Sequence, residues 1–271
     1  MLKQRVMTAL VLVPLMFWLV FWGSHMVFAV AVGAFLAIGS WEWARLSGIQ
    51  RVVPQVGYAV LVSVLCYLLY PYLQSADYAY FMGGVVLLWV LNISQVFRFR
   101  GVSEAAKKIH FWSVIVGFIV LPATWLSLVH LHQMNPTVLF LCLSLIWVAD
   151  TGAYFSGRRW GKRKLAPRVS PGKSWEGVWG GLAAVCVVAF VASFWLFEPT
   201  LARVAFVALA LIGIVFSVFG DLYESLMKRR FGIKDSSHIL PGHGGVLDRT
   251  DSLTAAMPVF SVGLMLIERS L

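Results

Sequence analysis

Residues 204–220 read Val-Ala-Phe-Val-Ala-Leu-Ala-Leu-Ile-Gly-Ile-Val-Phe-Ser-Val-Phe-Gly and carry no charge. At 1.5 Å of rise per residue, this run makes a helix about 25 Å long, which nearly crosses the hydrocarbon of a bilayer. The whole chain has the same character, because 60% of its 271 residues are hydrophobic and only 13% are charged. Soluble domains carry about 25% charged residues. The sequence therefore predicts an integral membrane protein.

Apolar runs of this length recur along the chain. We place nine spans, at residues 7–22, 26–43, 52–73, 79–97, 111–131, 137–157, 175–197, 204–227 and 252–268. Residues 101–110 are expected to form either a short interfacial helix or a solvated loop. The predicted fold is all-α, a polytopic helical bundle of about nine transmembrane helices. It divides into N-terminal spans, 1–131, and a C-terminal region that holds the site, 132–271, with cytoplasmic loops 158–175 and 228–251.

Basic residues predict the orientation, because positively charged loops stay in the cytoplasm. With nine spans and the N-terminus inside, 20 of the 22 Lys and Arg are cytoplasmic, and Arg203 and Arg269 are not. A signal peptide beginning at Lys3 and Arg5 is the alternative reading of the first span. The second apolar run follows after only residues 23–25, which favours an uncleaved first span. We expect a multi-pass inner-membrane protein with its N-terminus inside and its C-terminus outside.

The eighth predicted span ends in a stripe of polar residues. The stripe consists of residues spaced to share one helical face: Ser217, Asp221, Glu224, Ser225 and Lys228. Asp221 follows the apolar run directly, so we expect it where hydrocarbon gives way to headgroups. A carboxylate at this depth is costly unless it is paired or bound to a cation, which makes it a candidate functional residue. The alternative is a helix end that frays into water, with an ordinary i, i+4 pair between Glu224 and Lys228.

A glycine-rich turn, Pro241-Gly242-His243-Gly244-Gly245, precedes the ninth predicted span. Glycines let the backbone approach a ligand and let successive N–H groups form an anion-binding nest. Asp248, Arg249 and Asp251 follow, and two carboxylates beside a basic group suit a magnesium-phosphate site. The alternative is that Asp251 and Ser252 simply form a helix N-cap.

A second polar loop is strongly basic. We expect the run Arg158–Lys164 to attract lipid headgroups. The segment Ser170-Pro-Gly-Lys-Ser174 is expected to be a Pro-Gly turn that presents a lysine and two hydroxyls to an anion at a helix N-terminus. Asp150 lies deep in the sixth predicted span, so it should line a water-filled cavity beside a cation that the sequence does not identify. The net charge of +10 indicates anionic lipids or phosphorylated substrates, and no nucleic acid.

These residues carry a family resemblance. The pattern Ser225-Leu-Met-Lys-Arg, then Lys234-Asp235, then His243-Gly-Gly-Val-Leu-Asp-Arg-Thr-Asp251 resembles the signature of the phosphatidate cytidylyltransferases, also called CDP-diacylglycerol synthases. Residues 170–176 and Gly220-Asp221 are similar to the family as well. The first half of the chain resembles the family only in length and layout.

The resemblance implies a reaction between CTP and phosphatidate that gives CDP-diacylglycerol and pyrophosphate. It implies Mg²⁺ held by Asp221 and Asp248, with K⁺ nearby, and a homodimer formed through apolar spans. It implies catalytic roles for Asp221, Asp248, Lys173 and Arg249. It also implies substrate contacts by Ser170, Lys173, Ser174, Lys228, Lys234, Asp235, His243, Gly244, Gly245 and Asp251. We expect His243 to contact a phosphate or brace its turn, and not to act as a general base.

Three other functions are alternatives. A transporter would place its polar residues near the bilayer midplane, often in repeated halves, whereas here they gather at one end and no repeat is visible. A CDP-alcohol phosphotransferase would carry a long Asp-Gly…Ala-Arg…Gly…Asp…Asp pattern, which is absent from the sequence. A non-catalytic lipid-binding scaffold would need no metal and would not turn over CTP.

Overall fold

The computed structural model describes residues 2–99, 101, 108–198, 200–242 and 244–270. Within them the chain forms nine α-helices: α1 (Leu2–Phe21), α2 (His25–Leu46), α3 (Val52–Leu69), α4 (Asp77–Arg98), α5 (Phe111–Met134), α6 (Pro136–Trp160), α7 (Trp175–Leu196), α8 (Thr200–Arg230) and α9 (Leu247–Ser270). A 3₁₀ helix at Tyr70–Gln74 extends α3. Eight described helices are long and apolar enough to cross a membrane, and α1 contributes a shorter apolar stretch, Leu10–Phe21. The predicted all-α polytopic bundle is confirmed.

The long helix α8 determines where the polar stripe lies. Its 31 residues give a length of about 46 Å, whereas the hydrocarbon of a bilayer is about 30 Å thick. The helix continues unbroken to Arg230, three residues beyond the predicted end at 227. The frayed end of the alternative is therefore wrong, because the stripe lies on a regular helix that extends past the apolar run, but its i, i+4 pair between Glu224 and Lys228 is present (3.0 Å).

The only β-strands in the described residues form a two-stranded antiparallel hairpin between α6 and α7. Strand β1 (Lys164–Ala166) pairs with β2 (Ser170–Ser174), and the chain turns at residues 167–169. The predicted turn at Pro171-Gly172 is thus wrong: these residues belong to strand β2, where they lie in a register irregularity between the pairs Ala166–Ser170 and Lys164–Ser174. Ser174 ends the hairpin and accepts a hydrogen bond from the N–H of Gly177 (3.2 Å), which caps α7.

Helices α6 and α7 pack closely through small residues. A Cβ added at Gly180 of α7 would collide with the Ser156 side chain of α6. Close backbone approach of this kind is typical of helix pairs in membranes, where small residues replace the large apolar side chains of soluble interfaces. This packing fixes α6 and α7 beside the polar end of α8.

The polar connections meet at one end of the bundle. The N–H of His110 donates to the Ser47 carbonyl (2.9 Å), and Arg229 Nε donates to the Val169 carbonyl (3.2 Å). At the opposite end, the Nδ1 atoms of His25 and His132 lie 2.9 Å apart. The basic segments that flank the spans therefore share one face of the molecule.

The division of the chain at residue 131 stays a prediction. Packing is continuous across it: the indole N–H of Trp89 in α4 donates to the Thr254 carbonyl in α9 (3.0 Å). The predicted interfacial helix falls mainly on residues 102–107, which lie outside the described part of the chain, as does His243.

Candidate active site

Two site residues from separate segments meet at the end of the predicted stripe. Lys173 of β2 forms an ion pair with Asp221 of α8, and both side chains are about a quarter exposed (26% and 27%). Ser225, one turn along α8, donates its hydroxyl to Asp221 Oδ1 (3.3 Å). The hairpin therefore places the ammonium group of Lys173 beside Asp221, the carboxylate that the sequence predicts at headgroup depth.

A cavity of about 320 Å³, with charged side chains in a mostly apolar lining, lies between α6, α7, α8 and β2. Asp150, Lys173 and Asp221 line it together with Tyr154, Arg158 and Ser217. Asp150 interacts electrostatically with both Lys173 and Asp221. Lys173 is thus a cationic partner for Asp150, which the sequence left unidentified because the two residues are far apart along the chain.

Lys228 joins the carboxylates of two helices. Its Nζ lies 3.0 Å from Glu224 Oε2 and 2.7 Å from Asp248 Oδ1. Glu224 is almost completely buried, and its second oxygen, Oε1, has no hydrogen-bond donor among the described residues. Asp251 interacts electrostatically with Glu224 from the next turn of α9.

Asp248 also organises the glycine loop. Its Oδ2 accepts hydrogen bonds from the N–H of Gly245 (2.8 Å), the N–H of Ser236 (2.9 Å) and the hydroxyl of Ser236 (3.0 Å). The sequence had suggested that N–H groups of this turn bind a substrate anion. In this structure the N–H of Gly245 donates to a carboxylate of the protein itself, and a substrate contact at Gly245 stays a prediction.

Sequence reasoning missed Glu42, a fully buried carboxylate in α2. It accepts hydrogen bonds from the N–H groups of Val246 (3.0 Å) and Leu247 (2.6 Å) and from the hydroxyl of Ser237, and it shares the single hydroxyl proton of Ser236 (3.1 Å) with Asp248. One signal for it was available: a lone acidic residue in an otherwise apolar span.

The other predicted site residues surround this core. Ser174 is buried, and its hydroxyl accepts the α7 capping bond, whereas Ser170 is half-buried at the start of β2. Lys234, Asp235 and Arg249 lie exposed at the same end of the bundle. Asp251 lies in the second turn of α9, so the alternative that it forms an N-cap with Ser252 is wrong.

The site is rich in carboxylates. Asp221, Glu224, Asp248 and Asp251 face two lysines, Lys173 and Lys228. Among the described residues, no three His, Cys, Asp or Glu side chains converge closely enough to surround a metal ion. The arrangement is an acidic cluster bordered by lysines, next to this cavity.

Residues 3–267 match the profile of the cytidylyltransferase family. The chain is 44% identical over 272 residues to a phosphatidate cytidylyltransferase of Pseudomonas aeruginosa, an alignment that covers 96% of each protein. It is 38% identical to one from Haemophilus influenzae (96% of this chain, 98% of that protein) and 32% identical to one from Bacillus subtilis (95% of each). Because these matches extend over nearly the full lengths of the proteins, the chain belongs to the cytidylyltransferase family.

Proposed function

We propose that the acidic cluster and its lysines form the active site of a phosphatidate cytidylyltransferase. This membrane enzyme transfers the cytidylyl group of CTP to phosphatidate, giving CDP-diacylglycerol and pyrophosphate. The proposal for the site rests on one observation, a contact between the first and last parts of the signature. Lys228 in the first part lies 2.7 Å from Asp248 in the last part, and it also lies 3.0 Å from Glu224. The full-length likeness to enzymes of that name supports the activity.

The reaction itself needs no general base. The phosphate monoester of phosphatidate has a second pKa of about 6, so it is largely dianionic at neutral pH. One of its oxygens attacks the α-phosphorus of CTP, the bond from that phosphorus to the bridging oxygen breaks, and pyrophosphate leaves. No proton has to be removed from the nucleophile. The protein must instead align two anions and reduce the repulsion between them.

We propose Mg²⁺ as the cofactor, held by Asp221 and Asp248. The residues fit such an ion, since the carboxyl groups of Asp221 and Asp248 lie in a cluster that holds more carboxyl groups than lysines. Among the described residues, Asp248 Oδ1 accepts a bond from Lys228 alone, which leaves it a lone pair for a metal ion. When bound, the ion would neutralise charge on the phosphates of CTP and on the departing pyrophosphate. A K⁺ ion nearby remains an expectation from the resemblance.

The lysines and the exposed basic residues would bind the phosphates. Lys173 borders the cavity and is a quarter exposed, so a phosphate in that cavity would reach its ammonium group. Arg249 and Lys234 lie exposed beside the cluster, as phosphate-binding groups at the mouth of a site should. Lys228 is mostly buried, so its proposed role is to hold Glu224 and Asp248 in place.

The chain is a multi-pass membrane protein. We propose that the end of the bundle with the basic connections faces the cytoplasm, where CTP is made. The positive-inside rule supports this orientation. A homodimer through apolar spans is a further proposal, motivated by the family resemblance.

The purified protein in detergent provides the test. Pyrophosphate release from CTP should require both phosphatidate and Mg²⁺, and CDP-diacylglycerol should form in equal amount. Pyrophosphate release that is independent of phosphatidate would contradict the proposal, as would uptake of intact nucleotide by proteoliposomes without any turnover. The second result would favour the transporter alternative.

A further inference from the structure

A carboxylate from the first third of the chain holds the start of α9. Glu42 in α2 accepts the N–H groups of Val246 and Leu247, at 3.0 and 2.6 Å. The first N–H groups of a helix have no partner within the helix itself, and a negative charge beside them is stabilising. Glu42 therefore caps α9 from another membrane span, a role that a neighbouring residue in the sequence usually fills.

The same carboxylate holds the segment that precedes the glycine turn. The Ser237 hydroxyl donates to Glu42, and the single hydroxyl proton of Ser236 is shared between Glu42 Oε2 (3.1 Å) and Asp248 Oδ2 (3.0 Å). Ser236 also donates its N–H to Asp248 Oδ2 (2.9 Å). Arg45, almost one turn further along α2, donates to the Ser236 carbonyl. Ser236 is thus fixed between Glu42 on one side and Asp248 on the other.

Gly245 shows how closely these groups approach one another. A Cβ at this position would collide with Glu42 Oε1 and with Ser236 Oγ. Any side chain there would push the loop away from α2. The glycine is therefore required by the protein's own carboxylate, whether or not a substrate also approaches it.

We propose that Glu42 is a positioning residue for the cytidylyl transfer. By holding Ser236, Ser237, Val246 and Leu247, it sets the first turn of α9 so that Asp248 meets Lys228 and Asp251 lies beside Glu224. This inference depends on the proposed function for its effect on the reaction, but its effect on the loop is independent of it. It also assigns a task to the N-terminal spans, because α2 carries the acceptor that shapes the catalytic loop.

The test compares Glu42→Gln and Glu42→Asp with Ser40→Ala. Ser40 is a matched control, since it is fully buried on the same helix and its hydroxyl donates to the Leu36 carbonyl within α2 (2.8 Å). Hydrogen–deuterium exchange of the peptide containing residues 244–249 reports on the loop. The kcat, the KM for CTP and the Mg²⁺ concentration for half-maximal rate report on the reaction.

Glu42→Gln keeps the side-chain volume but replaces one acceptor oxygen by an NH₂ group, which faces N–H donors. We expect exchange at Val246 and Leu247 to accelerate about tenfold and kcat to fall about 10- to 100-fold, as when groups that orient metal ligands are lost. The Mg²⁺ requirement should rise, and Glu42→Asp should recover part of the rate. Ser40→Ala should match the wild type in every measurement.

Wild-type exchange and wild-type kcat in Glu42→Gln would overturn the proposal. If that variant does not fold, Ser237→Ala decides, because it removes one donor and leaves the carboxylate in place. Faster exchange at 246–247 with a lower kcat would support the proposal, and no change in either would overturn it. If the wild type forms no CDP-diacylglycerol but loop exchange still depends on Glu42, the proposed function fails and the capping of α9 stands.

Discussion

Lys228 Nζ lies 2.7 Å from Asp248 Oδ1, and this contact joins the last turns of α8 to the first turn of α9. Both side chains are mostly buried, at 12% and 8% exposed. A buried charge that loses its partner costs far more than the pair contributes as a whole. The pair therefore makes the geometry of the site depend on the charge of Lys228.

Replacing Lys228 by Met should strongly destabilise the protein. The change leaves Glu224 and Asp248 buried without their shared counter-charge, so we expect a loss of about 3–5 kcal/mol in the free energy of unfolding. Thermal unfolding in detergent measures it. Lys228→Arg should lose less, and Lys162→Met, at an exposed position, is the control. Equal melting of Lys228→Met and the wild type would show that the pair does not stabilise the fold.

Asp221→Asn and Asp248→Asn should both abolish turnover but should differ in stability. Asp221 is a quarter exposed, so its amide should leave the melting temperature nearly unchanged. Asp248 is mostly buried and accepts from Lys228, Gly245 and Ser236, so its amide should lower the melting temperature clearly.

Pyrophosphate release and melting curves of the two variants, measured on the same preparations, separate these effects. Near-normal activity at saturating Mg²⁺ in either variant would remove that residue from the proposed metal ligands. Equal melting temperatures for the two variants would contradict the difference in burial.

Reporter fusions test the orientation. A reporter inserted within residues 160–170 should lie in the cytoplasm, and one fused after Leu271 should lie on the opposite side, because three predicted spans separate the two positions. The prediction rests on the 20-to-2 division of Lys and Arg between the two sides. The same compartment for both reporters would show that the number of spans between these two positions is even.

His110 should make stability depend on pH. Its Nδ1 accepts from Arg230 (3.0 Å), and burial together with this positive charge lowers the pKa of His110 below its usual value of about 6.5. The unfolded chain then binds a proton at a pH where the folded chain does not, so stability is retained above about pH 6.5 and falls as the pH drops below it.

The variant His110→Asn tests this dependence, because Asn can still cap α5 and accept from Arg230 but does not titrate. Melting temperatures between about pH 5 and 8 should fall less steeply for the variant than for the wild type on the acid side. Parallel curves for both proteins would exclude His110 as a source of the pH dependence.

His243 should not act as a general base, since the attacking phosphate oxygen carries no proton that must be removed. We expect His243→Gln to lower activity mainly by raising the KM for CTP and His243→Ala to lower it further. The shape of the pH–rate profile should persist between about pH 6.5 and 8.5. Equally inactive variants, with a wild-type ionisation near about 6.5 that they lack, would show that a base is needed.

The sequence predicted the helices well because the length of an apolar run is a local property. The predicted span 111–131 corresponds to α5, Phe111–Met134, and the stripe from Ser217 to Lys228 follows from helical periodicity alone. The strand at Ser170–Ser174 was missed because Pro171-Gly172 favours a turn locally, whereas the pairs with β1 form on either side of these two residues, at Ser170 and Ser174. Two features depend on contacts between distant segments, which no local pattern reveals. They are the pairing of Asp150 with Lys173 and the capping of α9 by Glu42.

The hydrogen bonds of Glu42 also constrain the order of events during biosynthesis. A ribosome makes α2 more than 190 residues before it makes the serines and amides that complete the carboxylate's shell. Until then the nascent chain carries an unsatisfied acid in an apolar helix, which is costly in a bilayer. The N–H groups of Val246 and Leu247 complete this shell only when the start of α9 has been made, so we expect chains that end before residue 246 to be less stable than the full chain. Satisfaction of the Glu42 carboxylate and ordering of the start of α9 would then occur in the same step of synthesis.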